Sequence, residues 1–294
     1  QLTAQAASGN EDTAIDLHIA SSLTDIDGSE SLSITISDIP KGAVLSAGTL
    51  NVNGSYTLSV DQLAGLTITP PANSDADFTL TVTATSLEAE NGDRASTVLS
   101  LPVSVSAVAD TPEIATTLSQ GQEDHFIILN IDPSLTDTDG SETISLIIEN
   151  LPAGALLSAG TMNDDGSWTV AADEIAGLAI LPPANVSGEF TLSVTAVATE
   201  ESNGASVRSA PVDLPVSVAG AADAPALMVH GTTGDEDTAI ALDISSALTD
   251  IDGSETLAIT IAGMPQGATL STGTNNGDGS WTLSSDQLAG LTLM

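Results

Sequence analysis

Hydrophobic and polar residues alternate in short runs along the chain, and residues that favour turns separate these runs. Phe78–Ser86 reads FTLTVTATS, in which apolar and polar side chains alternate over most of the stretch. Because successive side chains of a β-strand point to opposite faces, this alternation predicts strands with one buried face. Val60–Leu66 (VDQLAGL) suits a single helical turn. The strands predicted in the first third of the chain are Ala14–Ala20, Leu32–Ile39, Ala43–Gly48, Ser55–Val60, Leu66–Thr69, Phe78–Ser86 and Ala95–Val105.

The whole pattern is repeated along the chain. The motif EDTAI at Glu11 recurs as EDHFI at Glu123 and as EDTAI at Glu236, at offsets of 112 and 113 residues. A unit of this length suits a complete domain rather than a solenoid repeat. We therefore predict three domains, at residues 1–109, 110–222 and 223–294, and call them the first, second and third copies. The third copy is expected to be incomplete, because its last residues, GLTLM, match GLTIT in the middle of the first copy.

Each copy is predicted to be a sandwich of two sheets. Seven short strands in about 100 residues, without a long helical period, indicate an Ig-like antiparallel β-sandwich. Hydrophobic residues make up 41% of the chain, so the copies can bury a core. The chain has no cysteine, so no disulfide can staple the sandwich, and bound cations are one alternative.

The charge of the chain excludes several classes of partner. Acidic residues number 40 against three basic ones, which gives a formal net charge of −37. Such a chain lacks the cations needed to bind nucleic acid or an anionic membrane surface. No apolar run approaches the ~18 residues of a membrane span. The three histidines fall at non-equivalent places in the copies, so we predict no catalytic residue and no enzymatic activity.

One acidic loop recurs at the same place in every copy. It reads LTDIDGSE at Leu23–Glu30, LTDTDGSE at Leu135–Glu142 and LTDIDGSE at Leu248–Glu255. Asp, Gly and Ser are ordinary turn formers, so the motif alone fits a solvated turn as well as a loop around a cation. If seven strands alternate in direction, however, this loop lies at the same end of a copy as the linker to the next copy. That convergence favours a metal site at each junction.

Calcium is the predicted cofactor. It accepts about six to eight oxygen ligands in flexible geometry, whereas magnesium keeps its waters and zinc prefers histidine or cysteine. Each site would combine the acidic loop of one copy, the linker acid and the first acids of the next copy. The predicted ligands are Asp25, Asp27, Glu30, Asp77 (or Asp75), Asp110, Glu123 and Asp124 at the first junction, Asp137, Asp139, Glu142, Glu189, Asp223, Glu236 and Asp237 at the second, and Asp250, Asp252 and Glu255 in the third copy.

The combined pattern resembles a known family. EDTAI, LTDIDGSE, IPKGAVLSAGT and QLAGLTITPPANSDADFTLTVTA, followed by LPVSVSAVADTP, are similar to the tandem repeats of giant type I-secreted bacterial RTX adhesins. The resemblance covers the whole chain. It implies tandem Ig-like or cadherin-like extender domains in an extended array, located outside the cell on the bacterial surface.

The resemblance also implies a function and a ligand set. The function would be that of a calcium-rigidified stalk that holds an adhesive tip away from the cell, in attachment or biofilm formation. Carried over by position, the cadherin-type ligands would be Glu11, Asp25 with Asp27, and Asp110. The glycine-rich nonapeptide repeats that give the RTX class its name are absent from this chain.

Two other functions remain open from the sequence. One is self-association into a sheath or surface layer, through unpaired edge strands or through acidic ends bridged by calcium. The other is a module whose exposed loops bind carbohydrate or protein. The predicted partners are therefore the neighbouring copies of the same chain and, under self-association, other copies of the whole chain.

Overall fold

The computed structural model describes all 294 residues, and it consists of short β-strands with three 3₁₀ helices, at Val60–Leu63, Ala172–Glu174 and Ser285–Leu288. The first copy contains β1 (Leu2–Ala4), β2 (Ala7–Asn10), β3 (Ile15–Asp16), β4 (Ile19–Ser21), β5 (Glu30–Ser37), β6 (Val44–Leu45), β7 (Thr49–Leu50), β8 (Tyr56–Leu58), β9 (Thr67–Thr69), β10 (Phe78–Glu88) and β11 (Arg94–Ser106). The second copy contains β12 (Glu113–Thr116), β13 (Ser119–Gln122), β14 (Ile127–Ile128), β15 (Ile131–Ser134), β16 (Glu142–Glu149), β17 (Leu156–Leu157), β18 (Thr161–Met162), β19 (Trp168–Val170), β20 (Ala179–Leu181), β21 (Gly188–Glu200), β22 (Ser206–Arg208) and β23 (Val212–Ala219). The third copy contains β24 (Ala226–His230), β25 (Ile240–Ala241), β26 (Asp243–Ala247), β27 (Ala258–Ile261), β28 (Thr274–Asn275), β29 (Trp281–Ser284) and β30 (Thr292–Leu293). The predictions of an all-β chain and of a helical turn within Val60–Leu66 are confirmed.

The chain forms two compact units. The first comprises Gln1–Ala115, Asp132–Ile147 and Thr195–Pro211, and the second comprises Thr116–Ile131, Ile148–Val194 and Val212–Met294. The first unit therefore holds the first copy together with the acidic loop of the second copy. The second unit likewise holds the start of the second copy together with the acidic loop of the third. The domain boundaries drawn from the repeat stay a prediction.

The first unit contains a six-stranded sheet in the order β2-β11-β10-β5-β8-β7 and a three-stranded sheet in the order β3-β9-β6. Alternation builds the core between them. Ile34 and Ile36 on β5 are fully buried, whereas Thr35 between them is not. They belong to one cluster with Leu80 of β10 and Ile68 of β9, so both sheets contribute to a single apolar core. Burying each such side chain contributes about 1.5–3 kcal/mol.

In the second unit, β13 pairs with β23 and β23 pairs with β21, and a three-stranded sheet runs in the order β14-β20-β17. The third copy contributes a sheet in the order β27-β29-β28 and the pairs β24-β26 and β25-β30. A smaller apolar cluster lies within the third copy. Its buried members are Ile259, Leu270, Leu283, Leu288 and Leu291.

The sequence pattern missed three strands of the first copy, and one omission changed the predicted layout. The two-residue strand β7 pairs with β8 in antiparallel register and forms the edge of the six-stranded sheet. Counting it gives eight runs of alternating direction instead of seven. The last strand, β11, therefore ends at the pole that carries Glu11, and not at the pole that carries the loop Leu23–Glu30. The backbone N–H of Glu11 donates to the carbonyl of Ser106 at 3.1 Å, at the end of β11.

The other two missed strands lie at the N-terminus. β2 pairs with β11 in parallel, from Ala7↔Val103 to Asn10↔Ser106, so this sheet is mixed and not purely antiparallel. β1 pairs with β4. The predicted strand Ala14–Ala20 is consequently divided, because β3 pairs with β9 while β4 pairs with β1.

A glycine before the β7–β8 hairpin gives a test of this packing. Gly48 has φ +101°, and a Cβ atom placed there would lie 2.9 Å from Leu58 Cγ and 3.1 Å from the carbonyl oxygen of Thr57. Gly54, in the hairpin turn, has φ +86° and open space where a Cβ atom would lie. Both substitutions to alanine incur about 1–2 kcal/mol of backbone strain. Gly48→Ala should lose roughly 1–3 kcal/mol more than Gly54→Ala in denaturant unfolding, because of the clash, and equal losses would contradict the packing.

Candidate metal centres

Acidic side chains from distant parts of the sequence converge within the first unit. Glu11, Asp137 and Asp139 place carboxylate oxygens within 4.8 Å of one another. Glu142 follows the same loop, and its side chain accepts a hydrogen bond from the linker at the end of the first copy. We call the following set the first cluster. It consists of Glu11, Asp110, Asp137, Asp139, Glu142 and Glu200.

Four of the six carboxylates of the first cluster are buried, whereas Asp110 is partly exposed and Asp139 is exposed. No positive group neutralises them. Glu11 is 1% exposed, Asp137 2% and Glu200 1%. The one ion pair in the chain joins His230 Nδ1 to Asp243 Oδ2 at 3.2 Å, outside the cluster. Burying a charge without a partner is costly, because water no longer solvates it. The cluster therefore requires protons or a cation.

Each of the four buried carboxylates of the first cluster accepts a hydrogen bond with one oxygen and leaves the other oxygen without a donor. The backbone N–H of Val108 donates to Glu11 Oε1 at 2.7 Å, and that of Asp110 donates to Glu142 Oε1 at 2.7 Å. The four buried oxygens of the first cluster that have no hydrogen-bond partner are Glu11 Oε2, Asp137 Oδ2, Glu142 Oε2 and Glu200 Oε2. Unpartnered buried oxygens are rare in native proteins, and an ion is one of the ordinary explanations for them.

The local sequence explains how the acidic loop achieves this geometry. The backbone N–H of Asp139 donates to Asp137 Oδ1, and that of Ser141 donates to Asp139 Oδ1, both at 2.8 Å. These are Asx turns, and Gly140 between them has φ +97°. The turns engage only one oxygen of Asp137. The turn and the cation-binding loop are therefore compatible interpretations of the same motif.

An asparagine fixes the start of the first copy to its end. The backbone N–H of Asn73 donates to Asp12 Oδ1 at 2.9 Å, and its side-chain Nδ2 donates to Asp110 Oδ2 at 3.0 Å. Asn73 itself has φ +54°, a conformation that asparagine tolerates better than most residues. This contact holds the linker acid beside the acids that open the copy.

The electrostatics of the first cluster show the cost of leaving it without a cation. Burial raises the pKa of Glu11 to about 7, despite the hydrogen bond from Val108, and the negative charges of Asp137 and Glu200 add to the increase. Burial also raises the pKa values of Asp110, Glu142 and Glu200. Charged carboxylates are thus disfavoured here unless something positive joins them.

The second unit contains an equivalent set. Glu123, Asp250 and Asp252 place carboxylate oxygens within 4.8 Å of one another, and Glu123 and Asp250 are buried. The backbone N–H of Ala221 donates to Glu123 Oε1, and Glu255 Oε1 accepts from the backbone N–H of the linker acid. We call the following set the second cluster. It consists of Glu123, Asp223, Asp250, Asp252 and Glu255.

The second cluster has fewer unpartnered oxygens than the first. Glu123 Oε2 and Glu255 Oε2 are buried without a donor. Asp252 instead has a pKa well below its ordinary value, held there first by the backbone N–H of Ser187 and then by Ser254 and the Ser187 hydroxyl. Asn185 repeats the role of Asn73, since its Nδ2 donates to Asp223 Oδ2 at 2.9 Å.

The grouping predicted from the sequence is wrong in one respect. Asp110 and the first acids of the second copy were expected beside Asp25 and Asp27. Instead, Asp110 lies with the acidic loop of the second copy, and Glu123 lies with that of the third. The missed strand β7 is the reason, because it moves the end of β11 to the opposite pole.

The remaining predicted ligands lie elsewhere. Asp25 and Asp27 are exposed in the loop of the first copy, where the hydroxyl of Ser29 donates to Glu88 Oε2 at 3.0 Å. Asp77 Oδ1 accepts the backbone N–H of Val105 at 2.8 Å and so ties the strands β10 and β11 together. The other predicted ligands outside both clusters are exposed or partly exposed, and they are Glu30, Asp124, Glu189, Glu236 and Asp237.

Sequence reasoning missed Glu200. It lies 112 residues after Glu88, and each precedes an Asn-Gly turn by three residues, at Asn91 and at Asn203. This recurrence in the sequence could have identified Glu200 as part of the repeated acidic pattern. Asn203 also contacts the linker, because its Nδ2 donates to the carbonyl oxygen of Ala107 at 2.9 Å.

No helix in the structure has the length and apolar character needed to span a membrane.

No family model matches the chain, and no curated protein matches it. Among solved structures, chicken VE-cadherin EC1-2 aligns with 73% of this chain and 97% of its own, at 10% identity and a TM-score of 0.28. Drosophila N-cadherin EC1-4 aligns with 97% of this chain and 64% of its own, at 15% identity and a TM-score of 0.24. The N-terminal eight Ig domains of Down Syndrome Cell Adhesion Molecule align with 97% of this chain and 38% of their own, at 10% identity and a TM-score of 0.25. The proposals below therefore rest on the acidic clusters and on the sequence.

Proposed function

We propose that this chain is a structural extender segment of a bacterial surface adhesin of the RTX class, in which calcium ions at the two clusters join consecutive copies. It would act outside the cell, where it supports attachment or biofilm formation. One observation carries the proposal: both clusters bury carboxylate oxygens that have no hydrogen-bond donor, at places where segments of two consecutive copies meet.

The chemistry of the donors favours calcium. Every candidate ligand is an oxygen, and the clusters contain neither histidine nor cysteine. Calcium takes about six to eight oxygens at irregular angles, whereas magnesium requires nearly octahedral geometry and releases its waters reluctantly. The first cluster alone offers six carboxylates, which suits the larger and more adaptable ion.

The ion would act on the linker. Glu11 accepts the N–H of Val108 and Glu142 accepts that of Asp110, so a carboxylate from each of two consecutive copies holds the linker. Without a cation, Glu11 and Asp137 repel each other across a few ångströms. With one, the same carboxylates become a shared ligand set, and the free energy of binding adds to the stability of the folded junction.

Calcium titration of the intact chain tests the proposal. We expect saturable calcium binding by calorimetry after removal of divalent ions with EDTA, and much weaker binding of magnesium. Calcium should also slow thermolysin cleavage between Ala107 and Pro112, because it fixes the linker. Absence of binding would contradict the proposal.

A matched pair of variants locates the site. Asp137→Asn removes a buried candidate ligand and should weaken calcium binding at the first cluster. Asp25→Asn alters the equivalent position of the exposed loop in the first copy and should change that binding little. Calcium-dependent assembly of separate chains, with unchanged linkers, would instead favour a sheath or surface layer.

A further inference from the structure

The two clusters differ in the loop that approaches the acidic motif. This loop reads PPANSDADF in the first copy and PPANVSGEF in the second. The asparagine and its contacts are the same in both, but Asp75 in the first loop is replaced by Ser187 in the second, 112 residues later. A hydrogen-bond donor thus takes the place of a negative charge.

In the second cluster this serine donates hydrogen bonds to the acidic loop and so stabilises an ionised carboxylate there. Its backbone N–H and its hydroxyl both donate to Asp252 Oδ2, at 2.8 and 2.7 Å. The other oxygen of Asp252 accepts from the backbone N–H of Ser254 at 2.7 Å. Asp250 is also fully partnered, by the backbone N–H of Asp252 and by the hydroxyl of Ser254. Both aspartates of this loop are therefore satisfied by the protein alone.

In the first cluster the equivalent contact is absent. Asp75 and Asp139 line one open recess, which is completed by Gly140, Ser141, Glu201 and Ser202. An aspartate has no donor to offer Asp139 when it is ionised, so the recess brings like charges together. A separate difference concerns Asp137, whose Oδ2 is buried without a donor, because the hydroxyl of Ser141 donates to Glu200 Oε1 at 3.5 Å whereas that of its counterpart Ser254 donates to Asp250 Oδ2.

We infer that residues 75 and 187 set how strongly each junction depends on the cation. This inference rests on the proposed function. The first junction needs calcium to bring its acidic loop to the preceding copy, because Asp75 opposes the contact. The second junction keeps its loop in place through Ser187 when calcium is withdrawn. As calcium falls, the linker at residues 107–110 loosens before the linker at residues 220–223.

Amide hydrogen exchange reads each junction separately within the intact chain. The N–H groups of Val108 and Asp110 report the first linker, since they donate to the first cluster. Those of Ala221 and Asp223 report the second. In saturating calcium all four should be protected. In EDTA the first pair should exchange about tenfold faster or more, while the second pair changes less.

Reciprocal substitutions test the two residues. Asp75→Ser should reduce the effect of EDTA on the first linker, and Ser187→Asp should increase it on the second. Ser187→Ala keeps the backbone donor and removes only the hydroxyl, so the effect of EDTA on the second linker should lie between those of the wild type and of Ser187→Asp. This variant also provides a test if Ser187→Asp does not fold.

The possible outcomes separate the two proposals. If EDTA loosens both linkers equally and the substitutions leave that balance unchanged, calcium joins the copies but residues 75 and 187 do not set the dependence, and the inference fails. If calcium binds nowhere and EDTA changes no exchange rate, the proposed function fails as well. If EDTA loosens only the first linker, and Ser187→Asp makes the second linker loosen as well, both proposals are supported.

Discussion

Glu11→Gln should weaken calcium binding and, in the absence of calcium, stabilise the protein. Glutamine keeps an oxygen for the N–H of Val108, and it replaces the second, unpartnered oxygen by an amide that donates to a neighbouring carboxylate. In EDTA the variant removes one charge from a buried acidic cluster, and we expect a gain of about 1–2 kcal/mol in the free energy of unfolding. In calcium the lost ligand should lower affinity by about tenfold or more.

Denaturant unfolding in EDTA and in calcium measures this reversal. Glu236→Gln is the matched control, because Glu236 opens the same EDTAI motif in the third copy but is exposed. Its effect should stay within about 0.5 kcal/mol under both conditions. If Glu11→Gln destabilises the protein equally with and without calcium, Glu11 acts only through its hydrogen bond and is not a ligand.

The sequence was sufficient for the strands that carry the core. Period-two alternation identified β5, β10 and β11, because their side chains are buried on one face and the alternation is long enough to be recognised. It could not identify β7, since Thr49 and Leu50 are both exposed and only the hairpin register makes them a strand. A two-residue element carries no period.

That short strand also determined how much of the site was predictable. The acidic residues themselves were conspicuous, and the idea that consecutive copies share a set of carboxylates depended only on the repeat. Which loop meets which linker depended on the number of strands. Because β7 was missed, the end of β11 and the linker after it were predicted at the wrong end of the copy. Glu11 entered the ligand set only through the resemblance, although it is one of the most buried acids of the first cluster.

Local chemistry could not separate a turn from a metal loop, and the structure explains why. The Asx turns of Asp137 and Asp139 use one carboxylate oxygen each. The other oxygen of Asp137 is buried without a donor, in a cluster with Glu11 and Glu200, which lie far away in the sequence. The eight-residue motif therefore predicts the Asx turns but not the burial of the second oxygen of Asp137.

The stability of the protein between about pH 5 and pH 7 should depend strongly on pH in EDTA and only weakly in calcium. Glu11 has a pKa of about 7 in the folded protein, against 4.5 ordinarily. Between these values the folded state holds a proton that the unfolded state has lost. In EDTA, stability should therefore be greatest near pH 4.5, fall as the pH rises, and level off above pH 7. We expect a loss of roughly 3 kcal/mol from Glu11, to which the raised pKa values of Glu142 and Glu200 add in the same direction.

Saturating calcium should largely remove this slope, because above about pH 4.5 the carboxylates are then ionised in both the folded and the unfolded state. The ion binds the ionised carboxylates and competes with protons, so its stabilising effect grows over the same range as the pH rises. Thermal unfolding at about pH 5, 6, 7 and 8, with calcium or EDTA, measures both slopes. The large net negative charge also lowers stability as the pH rises, and Glu11→Gln separates this general repulsion from the cluster. In that variant the fall in EDTA should become shallower, because the group that titrates near pH 7 is gone; an unchanged slope would show that the cluster does not control the pH response.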